Sequence, residues 1–168
     1  PRFPIGGAKK SGLGRELASS WLNGYPPKNV WMGTTTENQE QADKRIPHLL
    51  NIPAVVRFLS CEPLLGEISF RWLPAFDGLA LKPRIANEPT AMNEYDGLRQ
   101  LDWIICGGES GPRARPMQPE WAQSLYDQCK ALAVPFYFKQ ASGLRPGLPI
   151  DIRELDDCKQ FPIVKEKS

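Results

Sequence analysis

Short apolar runs alternate with amphipathic stretches along the chain, and each apolar run ends in a polar cluster. Residues 29–36, NVWMGTTT, predict a first strand with Glu37 and Asn38 at its exit. Residues 39–46 predict a short polar helix capped by Thr36 or Asn38, and Pro47 starts a separate turn over 47–50. Residues 54–59, AVVRFL, predict a second strand, followed by Ser60, Cys61, Glu62 and Pro63. Residues 101–106, LDWIIC, are nearly continuously apolar, as in a parallel strand covered on both faces. Pro119 opens a helix whose apolar face is Trp121, Leu125, Gln128 or Cys129, and Leu132. Residues 134–138, VPFYF, predict a fourth strand ending in Lys139 and Gln140.

The remaining stretches are less regular. Residues 1–12 are basic, glycine-rich and aperiodic, which predicts a flexible leader. Leu13, Leu17 and Trp21 recur every four residues and predict a helix over 13–21. Residues 67–92 form an insertion broken by glycine and proline. Residues 141–168 are an irregular extension in which 150–162 holds one short helix or a hairpin. The whole chain reads as a single domain, with its β/α core over 13–66 and 93–140. Strands alternating with helices predict an α/β fold with a parallel sheet and right-handed crossovers.

Composition narrows the class without naming a function. The 168 residues are 41% hydrophobic and 24% charged, as in an ordinary globular protein. A net charge of +2 gives no support to nucleic acid as a partner and does not exclude it. No apolar run approaches the ~20 residues of a membrane span. The leader lacks a signal-peptide core, so a cytoplasmic location is the expectation. Cys61, Cys106, Cys129 and Cys158 lie far apart, with no C-x-x-C pair, so no metal site is expected from this chain alone. GGAKKSG lacks the Gly-Lys-Ser/Thr ending of a phosphate loop.

Parallel strands place all four exit clusters on one edge, and that convergence is the functional signal. Glu62, Glu109 and Lys139 are the catalytic candidates there. Glu37, Asn38, Cys61, Gly107, Gly108, Ser110, Arg113, Arg115 and Gln140 are the ligand-binding candidates. Crowded carboxylates raise one another's pKa, serve as acid and base, or hold a hard cation. The alternative for each is a helix cap or a structural ion pair. Arg113, Arg115 and Arg145 match phosphate oxygens or are solvated loop charges. Cys61 would need a base to act as a nucleophile, and His48 is the single histidine. Trp31, Trp72, Trp103 and Trp121 read as core, with the floor of a pocket as the alternative for one of them.

Two runs carry a family resemblance. They are NVWMGTTTENQEQADKRIPHLLNIPAVVRFLSCEPLLG and NEYDGLRQLDWIICGGESGPRARPMQPEWAQSLYDQCKALAVPFYFKQ. The chain resembles the later half of the phage Gp-thirty-seven/Gp-sixty-eight family, radical-SAM-like proteins of unknown substrate. The resemblance implies part of a β/α barrel, with S-adenosylmethionine and an iron–sulfur cluster in the full-length protein. The three-cysteine motif that holds such a cluster is absent here, and FKQASG replaces the family's FKQWG. The resemblance therefore implies a truncated or split product, or a remnant, supplying strand-end substrate residues and not catalytic alone. The alternative is a non-catalytic phage or mobile-element protein that binds a protein or nucleic-acid partner. Gly107, Gly108 and Glu109 lie on a late strand and are not assigned the cofactor role of the radical-SAM GGE motif.

Four strands cannot close a barrel that needs about eight. Open edges are expected on the first and fourth strands, with Val30, Met32, Phe136 and Phe138 on a bare face. Self-association or a complementary barrel half is the partner expectation.

Overall fold

The computed structural model describes residues 30–52, 54–71, 73–74 and 94–164. The leader, the helix expected over 13–21 and most of the insertion lie outside the described residues. Four parallel strands form the sheet: β1 (Trp31–Thr35), β2 (Val56–Cys61), β5 (Trp103–Gly107) and β6 (Phe136–Gln140), in the order β1-β2-β5-β6. Helix α1 (Gln39–Leu50) connects β1 to β2, and α2 (Pro119–Leu132) connects β5 to β6. Between them β3 (Leu73–Pro74) pairs antiparallel with β4 (Glu94–Tyr95), ahead of a single 3-10 turn. A short helix α3 (Arg153–Asp156) lies near the end. The α/β class with a parallel sheet is as the alternation of elements predicts.

Each new strand joins the sheet on the same side, with no reversal. Right-handed crossovers then leave both helices on one face. Ala42, Ile46 and Leu49 of α1, and Ala122, Leu125 and Cys129 of α2, bury that face against Leu59, Cys61, Ile104, Cys106, Phe136 and Phe138. The helical spacing of these residues sets one apolar stripe per helix. Trp121 and Leu132, expected on the stripe, pack at its flank.

Several boundaries differ from the sequence reading. Helix α1 runs unbroken through Pro47, because a proline in the last turn forfeits one intrahelical bond and Asn51 N–H still reaches the Pro47 carbonyl at 3.3 Å. Asn38 is its cap, accepting from Gln41 N–H at 3.1 Å. Strands β2 and β6 extend into their polar ends, since a backbone ladder does not stop where hydrophobicity stops. Thr36 N–H bonds Ser60 O at 3.0 Å, and Gly108 N–H bonds Gln140 O at 2.8 Å. The start of the stretch read as an insertion over 67–92 is core: Ile68, Phe70 and Leu73 are buried, as is Leu64 ahead of it. Its backbone is satisfied by glutamine side chains. Gln39 holds both polar groups of Ser69, and Gln128 holds Phe70 N–H and Ile68 O, each at 2.9 Å.

The other sheet face carries Trp31, Gly33 and Thr35, then Val56, Phe58 and Ser60, then Trp103 and Ile105, then Tyr137 and Lys139. This is the opposite phase to the one expected: Phe136 and Phe138 are buried beneath the helices. Rings fill the lower part of this face. Trp103 is met by Trp31 at 6.0 Å, Phe58 at 5.7 Å, Tyr137 at 6.2 Å and Phe161 at 5.1 Å between centroids. Gly33 is required there, because a Cβ would lie 2.4 Å from the Phe58 ring.

The outer strands are β1 and β6, as expected, but the β6 edge is closed. Phe138 N–H bonds Cys158 O at 2.9 Å and Gln160 N–H bonds Phe136 O at 3.0 Å, giving an antiparallel bridge between Tyr137 and Lys159. Trp103 Nε1 then donates to Gln160 O at 2.9 Å, so the tail turns over the edge and lays Phe161 on the open face.

Candidate functional site

The carboxyl ends of the strands are polar, and the central contact spans three of them. Glu62 leaves β2, Lys139 sits near the end of β6, and β5 runs between. Their side chains meet over β5 with Lys139 Nζ 3.2 Å from Glu62 Oε1. They can meet because Gly107, the last residue of β5, has no side chain: a Cβ would lie 2.6 Å from Glu62 Oε1 and 3.3 Å from Lys139 Cβ. Ser60 Oγ donates to the other Glu62 oxygen at 2.9 Å. Glu62 is the more enclosed partner, with 20% of its side chain exposed against 55% for Lys139. The result is a hydroxyl, a carboxylate and an ammonium in one row at the strand ends. Such a row can accept a proton, donate one, or orient a polar ligand.

Two further carboxylates flank it, each with its own cation. Glu37 is gripped by Arg45 Nη1 at 3.1 Å to both oxygens, and the same nitrogen donates to Thr35 O at 2.8 Å and Thr35 Oγ1 at 2.7 Å. Glu109 accepts from Arg115 Nε at 2.6 Å and from Arg115 N–H at 3.1 Å. The Arg115 guanidinium beside it holds the Glu109 carboxyl below its ordinary value. The Arg115 guanidinium is raised in turn by Glu109, and to a smaller extent by Glu37, so the two flanks share one field. The expected mutual elevation of crowded carboxylates is therefore not what governs Glu109: an ion pair separates it from its neighbours.

The loops behind the strands are tied to each other. Gln140, buried at 6% exposure, donates to Gly108 O at 3.0 Å and accepts from Gly147 N–H at 2.9 Å. Gly143 N–H bonds Glu109 O at 3.0 Å, and Gly111 N–H bonds Gly143 O at 2.9 Å. Ser110 bridges to Gly143 in this pairing and is exposed, as are Arg113 and Arg115. A Cβ on Gly108 would lie 2.2 Å from Ser142 N, so the two loops touch backbone to backbone.

Two ligand-binding candidates have other occupations. Asn38 caps α1. Cys61 points to the helix-covered face, fully buried, with its Sγ 3.3 Å from Thr36 Oγ1. Burial pushes its thiol up to about 12. His48 is exposed in the last turn of α1, so a Cys61–His48 pair is not built. Burial raises Cys106 and Cys129 as well. These thiols do not fit an iron–sulfur cluster, which takes accessible thiolates converging on one point. Among the described residues no group of three or more His, Cys, Asp or Glu is placed to hold a metal ion.

Sequence reasoning passed over Arg45, and it expected a bare sheet face but assigned the wrong residues to it. Arg45 sits eight residues after Glu37, where α1 brings it back to the strand end. The rings of that face come one from each strand, Trp31, Phe58, Trp103 and Tyr137, so no single strand carries a pattern that groups them.

A family model described as "Protein of unknown function (DUF5131)" matches residues 8–152. The chain belongs to this family. No curated protein matches the chain, and no solved structure does. The matched span takes in all four sheet strands, both long helices and the whole strand-end rim. No helix among the described residues is long and apolar enough to cross a membrane.

Proposed function

We propose that the chain is the carboxyl-terminal portion of a radical-SAM-like β/α barrel, with Ser60, Glu62, Glu109 and Lys139 on its substrate side. The observation that carries this reading is the winding of the sheet. Four parallel strands add in one direction, the helices lie on one face, and the opposite face is ringed and open among the described residues. That is the arrangement of a barrel wall, in which ligands sit at the carboxyl ends of the strands. An iron–sulfur cluster with S-adenosylmethionine would supply radical chemistry in such a barrel, and its thiolate ligands would lie outside this chain. What these residues contribute is orientation and proton transfer: Glu62, steadied by Ser60 and Lys139, faces the rim as a base or an anchor.

The open face also favours the second reading, a non-catalytic protein that docks a partner through Phe161, exposed at 55% beside Trp103 and Tyr137. Anaerobic reconstitution with iron and sulfide separates the two. The chain alone is expected to hold no stoichiometric cluster. Co-expressed with a polypeptide carrying a three-cysteine motif from the same genome, it is expected to co-elute with a cluster-bearing complex. A stable cluster on the chain alone, or no co-elution, contradicts the barrel reading.

A further inference from the structure

The charges on the strand-end rim do not cancel. Glu37 is matched by Arg45, Glu62 by Lys139 and Glu109 by Arg115. Arg113 and Arg145 remain, both exposed and neither in an ion pair or hydrogen bond with the described residues. They stand on the two loops that are stapled together. Arg113 lies two residues beyond Gly111 and Arg145 two beyond Gly143, and Gly111 N–H bonds Gly143 O at 2.9 Å. Both loops are braced from below by the buried Gln140 carboxamide. Arg113 and Arg145 are thus carried on one tied frame beside the strand-end rim.

We infer that Arg113 and Arg145 form a clamp for a phosphate group of the ligand. The clamp rests on the reading of the strand ends as the ligand side, and it names the chemistry of what binds there. Guanidinium forks match the oxygens of phosphate and of carboxylate alike. Charge separates the two: a phosphate monoester carries about −1.5 to −2 at pH 7, which balances two surplus arginines, and a carboxylate leaves one unbalanced. A hard cation does not suit this rim, where every carboxylate already has its counter-charge. The phosphate can belong to a small phosphorylated molecule or to a nucleic-acid backbone, where two successive diesters of one charge each balance the pair.

Calorimetric titration of the full chain at low ionic strength tests the clamp, with inorganic pyrophosphate as one probe and a short single-stranded oligothymidylate as the other. Wild-type chain is expected to bind pyrophosphate. Arg113→Ala and Arg145→Ala are each expected to weaken it about tenfold, as loss of one charge-assisted contact does. Paired Arg→Lys changes keep the charge, lose the fork and are expected to fall between. Arg153→Ala removes the same charge from α3 and is expected to change nothing, and circular dichroism melts check that each variant is folded. Loss of binding in the double alanine variant with both probes, and tighter oligothymidylate, assigns the phosphate to a nucleic acid. Comparable binding of the two probes assigns it to a small molecule. No pyrophosphate binding by the wild type, an unchanged double variant, or an equal loss in Arg153→Ala overturns the clamp. None of these readouts depends on the cluster-bearing partner, so failure here leaves the barrel reading to its own test.

Discussion

The two faces of one sheet are built by neighbouring residues and are enclosed to different degrees. Ile104 and Ile105 are adjacent on β5. Ile104 is fully buried beneath the helices, and Ile105 is half-buried on the ringed face. The first face is finished: two amphipathic helices, an extended segment pinned by Gln39 and Gln128, and fully buried Phe136 and Phe138. The second is partly dressed, by aromatic rings and the turned-over tail. The difference teaches that enclosure changes sharply across the thickness of a single strand layer.

Neighbouring substitutions break the comparison most directly. Ile104→Ala is expected to cost about 2–5 kcal/mol, as for buried large-to-small changes. Ile105→Ala, one residue on, is expected to cost less, because Ile105 keeps part of its surface in water and a shortened side chain there leaves a gap that solvent can reach. Urea unfolding of both variants measures the gap. Equal costs would mean that the ringed face is also sealed.

The thiols give the next effect. Cys61, Cys106 and Cys129 are neutral and buried, with folded pKa values above the unfolded one. Their stabilisation is complete below the unfolded pKa of about 8.5 and is lost as pH rises toward the folded value. Cys61 alone is expected to remove about 2 kcal/mol by about pH 10, from roughly 1.4 kcal/mol per pH unit. Chemical denaturation across an alkaline series measures the slope. A disulfide-exchange reagent should label these three only on unfolding, and fast native labelling of Cys61 would put it back on the rim.

Much of this was legible in the sequence, and the misses have a common cause. The apolar runs gave the four strands, and the parallel topology gave the shared edge for Glu62, Glu109 and Lys139. What failed was phase. In a strand the choice of face depends on which alternate set the helices cover, and VPFYF offers aromatic residues on both sets. The sequence alone therefore does not separate Phe136 and Phe138 from Tyr137. The role of Gly107 was also hidden, because a glycine that lets two flanking side chains meet is visible only once β2 and β6 are known to be its neighbours.

Smaller effects sharpen the contrast. Phe161→Ala removes two ring contacts on the open face and is expected to cost about 0.5–1.5 kcal/mol. On the helix side, Ala133 ends α2 with φ 53°, a left-handed conformation that favours glycine. Ala133→Gly is expected to stabilise by less than about 1 kcal/mol, read from a thermal melt.

The central claim is that the ringed face is a docking wall. Light scattering on the purified chain at micromolar concentration, with a thermal melt alongside, tests it most directly. The account predicts a mass above that of one chain and rising with concentration, because Phe161 stays 55% exposed on this face and Trp31, Phe58 and Tyr137 are only partly covered. A monodisperse monomer with a single sharp, cooperative melt would show that the chain has closed its own core, and the half-barrel account would fall with it.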